Sequence, residues 1–152
     1  MQKAPMMYFE DFAVGQRHTS GKLKIDLDAI REFASQFDPQ PFHLDEQAAK
    51  HSMFGRLVAS GWHTAAVTMR LIVDSTMDVS GGKIGLGGDI TWPKPTYPGD
   101  ELTVVSEIID VRGSESRPTI GIVTVRYTTL NQNEEAVQVA TMKMIVPRRA
   151  DS

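Results

Sequence analysis

The first half of the chain patterns with helical periods and the second half with a period of two. After an opening segment from Tyr8 to Gln16, Lys22-Leu23-Lys24-Ile25 alternates polar and apolar like a short strand. Asp26 then suits a helix N-cap, its carboxylate able to accept from an unpaired N–H of the first turn. Leu27, Ile30, Ala34 and Phe37 follow at three- and four-residue spacing, which predicts a helix of about three turns stopped by Asp38-Pro39. Asp45 to His51 reads as another short helix. The longest helical stretch runs from Gly61 to about Thr76. Ala65, Met69, Ile72 and Val73 share one face there, and Ala66, Val67 and Leu71 spread the apolar surface around the sides. So wide a surface predicts a helix covered on most sides.

Beyond Gly81 the alternation changes. Ile84 to Trp92 is glycine-rich, with Gly85, Gly87 and Gly88 permitting a bulge or close backbone approach. Pro98-Gly99-Asp100 is a turn signal, and the run from Leu102 to Ile108 after it reads as a strand. Gly113 to Pro118 makes a connection, Ile120 to Leu130 a strong strand, Asn131 to Glu135 a polar hairpin loop and Val137 to Val146 the final strand. Successive strands with short connections imply an antiparallel sheet. One buried helix and one sheet point to an α+β domain with the sheet wrapped around the helix.

Composition narrows the function classes. A chain of 152 residues suits one domain, spanning 1–152. A net charge of −3 without a basic block argues against nucleic acid as a partner. The absence of cysteine excludes disulfides, thiol nucleophiles and thiolate metal sites. Met1 to Phe9 lacks the charged and apolar regions of a signal peptide, and no apolar run reaches the length of a membrane span. A cytoplasmic protein without membrane or nucleic-acid partners is the expectation.

Chemistry concentrates in Asp38-Pro39-Gln40-Pro41-Phe42-His43. Each proline fixes its own φ and pushes the residue before it out of the helical region, so a stiff, extended turn is expected. Such a turn can hold an acid and a base at a set separation for proton transfer. The competing reading is plain: Asp38 ends a helix and His43 decorates a loop.

The hexapeptide and the layout together resemble the MaoC-like dehydratase and (R)-specific enoyl-CoA hydratase family. Asp38, Pro41 and His43 match its D-x-N-P-x-H motif, with Gln40 in place of asparagine. In Leu57-Val58-Ala59-Ser60-Gly61-Trp62, Gly61 matches the family's His-Gly step and Ser60 replaces its histidine. The block from Trp92 to Asp100 and the opening from Tyr8 to Gln16 also fit. The resemblance covers nearly the whole chain. It implies a hot-dog fold and a homodimer with sheets joined edge to edge. It further implies a hydro-lyase that interconverts trans-2-enoyl and (R)-3-hydroxyacyl thioesters of CoA or an acyl carrier, with no metal and no cofactor. On that resemblance Asp38 and His43 share a catalytic water, and the backbone N–H of Gly61 stabilises negative charge on the thioester oxygen. Gln40 and Ser60 are candidates for substrate contact, with helix capping as the other role open to Ser60.

Lesser candidates are His63, read as a core or interface residue, and His18 and His51, expected to face solvent. Arg148, Arg149, Lys83 and Lys94 are candidates for CoA phosphates. The eight methionines read as core fillers rather than a cofactor site. A hot-dog thioesterase, in which a carboxylate activates water against the carbonyl, explains Asp38 but gives His43 no purpose. A non-catalytic acyl-binding subunit is the third class, kept open by the departures at Gln40 and Ser60.

Overall fold

In a computed structural model that describes residues 6–150, the sheet has five antiparallel strands in the order β1-β3-β4-β5-β2. They are β1 (Arg17–Lys24), β2 (Ile84–Thr91), β3 (Glu101–Gly113), β4 (Ile120–Leu130) and β5 (Ala136–Pro147). Met1 to Ala4 and Pro5, part of the segment read for a leader, lie outside the described residues, as do Asp151 and Ser152. The helices are α1 (Leu27–Phe37), α2 (Pro41–Leu44), α3 (Glu46–Lys50) and α4 (Gly61–Val73). The sheet wraps around α4, which packs on β1, β3 and β5. This is the α+β arrangement expected from the alternating pattern.

Inward positions alternate along the long strands: Leu102, Val104, Ser106 and Ile108 on β3, then Val123, Val125, Tyr127 and Thr129 on β4. Burial of the Tyr127 phenol disfavours its charged form and pushes its pKa up to about 12. β1 starts earlier than its short alternating stretch suggested. It is an edge strand with a register shift between Thr19 and Lys22, so most of its positions face solvent and carry no burial signal. At the other edge, β2 shifts register between Gly85 and Gly87, and Gly87 has φ +132°. A Cβ on Gly88 would lie 1.9 Å from the carbonyl oxygen of Thr141 on β5, so only glycine allows this approach.

α4 departs from its expected orientation. Its buried face is His63, Thr64, Val67, Thr68, Leu71 and Ile72, whereas Met69 and Val73 are exposed. Two threonines displace the apolar residues because their hydroxyls are satisfied inside. Thr68 Oγ1 donates to the Thr64 carbonyl at 2.8 Å and lies 2.7 Å from Thr129 Oγ1, while Thr64 Oγ1 donates to Thr96 Oγ1 at 3.1 Å. Phe37, expected on the inner face of α1, is 70% exposed and rests on Phe33 with ring centroids 5.2 Å apart.

Candidate active site

The site forms where three chain segments stop. α1, capped at its start by Asp26 accepting from the Ala29 N–H at 2.8 Å, ends at Asp38. Asp38 leaves the helical region at φ −153°, ψ 67°, as a residue before proline must. Gln40 is extended, but Pro41 then sits in the first turn of α2, where its lack of an N–H costs nothing. The hexapeptide is thus half extended and half helical, not extended throughout. The helical half rotates His43 inward, to 5% exposure.

Buried Leu57 to Ser60 docks beside this turn through its backbone. The Val58 N–H donates to the Phe42 carbonyl at 3.1 Å, and the Ala59 N–H donates to the Thr96 carbonyl at 2.8 Å. The Val58 carbonyl in turn accepts from His43 Nδ1 at 2.8 Å. A carbonyl can only accept, so Nδ1 carries the hydrogen, and Nε2 is the ring atom that faces Asp38. Nε2 lies 3.2 Å from Asp38 Oδ2. A hydrogen bond across that gap takes one proton, on the ring or on the carboxyl.

Asp38 has two further donors. Ser60 Oγ donates to Oδ2 at 2.7 Å, and Gln40 Nε2 donates to Oδ1 at 2.5 Å. Burial pushes the Asp38 carboxyl up, but the bonds from Ser60 and Gln40 and the proximity of His43 outweigh it and hold the pKa below the ordinary carboxylate value. Ser60 also caps α4, its Oγ accepting from the Trp62 N–H at 3.2 Å.

Asp38, His43 and Gly61 all line one cavity of about 480 Å³, together with Gln40 and Lys94 and apolar walls that include Phe42 and Trp92. Gly61 opens α4, where the first N–H groups have no intrahelical acceptor and sit at the positive end of the helix dipole. The Trp92 indole stands against it and leaves no room for a Cβ, and its Nε1 donates to Oε1 of buried Gln138 at 3.0 Å. Sequence reading assigned no role to Trp92, Gln138 or the Val58 carbonyl. Gln138 carried a signal, as the amide between two valines in a strand otherwise rich in apolar residues.

The weaker candidates scatter. His63 is buried, stacked on Phe33 with centroids 4.7 Å apart, and burial lowers its pKa. His51 is exposed as expected. His18 is half-buried rather than solvent-facing. Among the described residues its Nε2 has no partner, and burial, with help from nearby Lys83, lowers its pKa. Arg148 and Arg149 do not line the dyad's cavity. They pair with Glu10 and Asp11 beside a separate hollow, because the single 3₁₀ turn at Phe9–Asp11 presents both acids to the C-terminal strand end. Lys94 is bound to Glu135, whose carboxyl it holds below the usual range. Among the described residues no cluster of three or more His, Asp or Glu could hold a metal ion, and no helix is long and apolar enough to cross a membrane.

Known proteins share this architecture. A MaoC-like dehydratase from Rhodospirillum rubrum superposes with a TM-score of 0.93 at 52% identity, over 95% of this chain and 99% of that one. An (R)-hydratase from A. caviae involved in PHA biosynthesis shares the fold alone, with a TM-score of 0.70 at 23% identity over 92% of this chain and 99% of that one. YdeM, an uncharacterized protein of Bacillus subtilis (strain 168), is 34% identical over 145 residues, covering 93% of this chain and 100% of its own. Residues 12–132 match the MaoC-like domain, and the chain, with its hot-dog fold, belongs to that family.

Proposed function

We propose that the protein is a hydro-lyase that interconverts trans-2-enoyl-CoA and (R)-3-hydroxyacyl-CoA, or the equivalent thioester of an acyl carrier. The observation that supports it best is the placement of Asp38, His43 and the Gly61 N–H around one cavity, with His43 Nε2 3.2 Å from Asp38 Oδ2. In the hydration direction, Asp38 takes a proton from water as the water oxygen bonds to C3 of the enoyl group. The C2–C3 π electrons move towards the thioester carbonyl, whose oxygen gains negative charge, and the Gly61 N–H donates to that oxygen. His43 Nε2 then supplies the proton that C2 receives. Asp38 is left protonated and His43 neutral, and transfer across the dyad contact restores both. No metal or redox group takes part in these steps.

A second copy of the chain belongs to this reading. Trp62, Ala66, Met69 and Val73 form an exposed apolar stripe along α4, and β2 is an edge strand with Ile84 and Leu86 exposed. Such an edge is an association liability unless paired. Pairing two copies there would cover both features beside the cavity mouth.

The test is to incubate purified protein with crotonyl-CoA and with 3-hydroxybutyryl-CoA, following enoyl absorbance and free thiol together. Hydration without thiol release is expected. Asp38→Asn and His43→Ala should each lower kcat by roughly 10²–10⁴-fold, with the double variant little worse than the poorer single one. Thiol release without hydration would replace this reading with a thioesterase. Inactivity in both assays across several acyl chains would favour a non-catalytic acyl-binding subunit.

A further inference from the structure

Ser60 stands where the motif of related chains carries histidine, and its surroundings give it a task. Its side chain is completely buried and lies outside the cavity wall, so substrate does not reach it. Its hydroxyl donates to Asp38 Oδ2 at 2.7 Å, on the same oxygen that faces His43 Nε2 at 3.2 Å. A carboxylate oxygen offers about two lone pairs, so both acceptor directions of Oδ2 are taken. Among the described residues Oδ1 accepts only from Gln40 Nε2, at 2.5 Å, and Asp38 and Gln40 both border the cavity. We propose that Ser60 is a positioning residue that, with Gln40, clamps Asp38 as a carboxylate and leaves Oδ1 as the oxygen that takes the proton from water. The assignment of Oδ1 rests on the hydro-lyase reading above; the clamp does not.

The clamp has two consequences. It fixes the carboxylate plane, since Oδ2 is tied to two elements, the start of α4 and the single turn of α2. It also favours the ionised form, because each donor binds the carboxylate more strongly than the acid. The other charged groups around Asp38 are His43 on α2 and, on another wall of the cavity, Lys94 with its partner Glu135. None of these is altered by changing Ser60.

Ser60 also caps α4, so the variant must separate the two roles. Glycine is nearly as good an N-cap as serine, whereas alanine is not. Ser60→Gly therefore removes the Ser60 donor of the clamp and largely keeps the helix start. Carbon-13 NMR titration of the Asp38 carboxyl, which needs no substrate, should show it titrating at higher pH in Ser60→Gly than in wild type. The exposed-side change Gln40→Ala should move it in the same direction without touching the cap. With crotonyl-CoA, kcat/KM of Ser60→Gly should fall roughly tenfold at the acid end of the profile and recover towards neutral pH, with KM little changed. Ser60→Thr, which keeps the hydroxyl, should restore the profile. An Asp38 titration unmoved in folded Ser60→Gly and in Gln40→Ala would overturn the clamp, even with hydratase activity present. If the titration moves but wild type hydrates no enoyl thioester, the clamp stands and its catalytic purpose falls with the hydro-lyase reading.

Discussion

Replacing Gly61 with alanine tests whether the wall of the cavity is as tightly built as its geometry implies. A Cβ at this position would lie 2.7 Å from Trp92 Cε2, 2.9 Å from Cδ2 and 3.0 Å from Cζ2. These atoms belong to the body of the indole, so no rotation of a side-chain tip relieves the overlap. The ring must move as a whole, and three things oppose it. Its Nε1 donates to Gln138 Oε1 at 3.0 Å, Trp62 packs edge-on with centroids 5.2 Å apart, and Gly61 itself is fixed by the α4 start. Forcing a methyl into a packed site costs about 1–3 kcal/mol. If the indole swings out, buried Gln138 loses its donor, which costs about 1–3 kcal/mol more. Alanine returns up to about 1 kcal/mol through its better helix propensity.

With the indole displaced the net expectation is a loss of about 1–6 kcal/mol, or a fall in Tm of roughly 2–24 °C for a chain of this size. Thermal unfolding measures it directly. The double variant Gly61→Ala with Trp92→Leu should be more stable than the two single losses added together, since the smaller side chain makes room for the methyl. The backbone N–H survives in every variant. Any fall in kcat then reports displacement of that donor or of the wall, not its removal. A Gly61→Ala protein with unchanged Tm would refute the reasoning, because it would mean the Trp92 wall yields freely.

Two further expectations follow from buried or exposed groups outside the dyad. Burial lowers the His63 pKa below the ordinary 6.5, although the nearby Asp26 carboxylate pulls the other way. The unfolded chain therefore binds more protons below about pH 6.5, and stability should fall as pH drops through that value towards the folded pKa. His18 shifts in the same direction, so His63→Leu should remove part of this dependence in urea titrations across pH 5–8, and an unchanged slope would count against it. Met69→Glu, on the exposed stripe of α4, should convert a dimer into a monomer in light scattering at micromolar concentration. A wild type that is already monomeric would refute the pairing of copies.

Much of the fold was legible because the alternating strands and the capped first helix obey simple periods. Asp26, Asp38-Pro39 and Pro98-Gly99-Asp100 mark boundaries through local chemistry, and the structure keeps each of them. Edge strands were less legible: β1 faces solvent along most of its length, so no burial rhythm announced Arg17 to Gly21. The orientation of α4 was misread because Thr64 and Thr68 look like surface residues until their partners on other segments are known. The dyad residues were visible as a spacing, but their geometry was not. What points Nε2 at Asp38 is the Val58 carbonyl, a backbone atom that any residue could have supplied. Ser60 likewise looked like a departure from a motif, and only the fold brings its hydroxyl to Asp38.

α4 carries apolar residues on two sides for separate reasons, and they divide the helix between fold and site. One side is covered by the chain's own sheet, through Val67, Leu71 and Ile72. The other carries Met69 and Val73 into solvent, in line with Trp62 at the helix start. Trp62 in turn meets Trp92, which stands against Gly61 and lines the cavity. The uncovered stripe therefore runs into the mouth of the candidate active site. A second copy packed along it would restrain Trp62, and through Trp62 the indole that stands against Gly61. Under the proposed function, association and the placement of the Gly61 N–H would then be one problem in side-chain packing along a single helix.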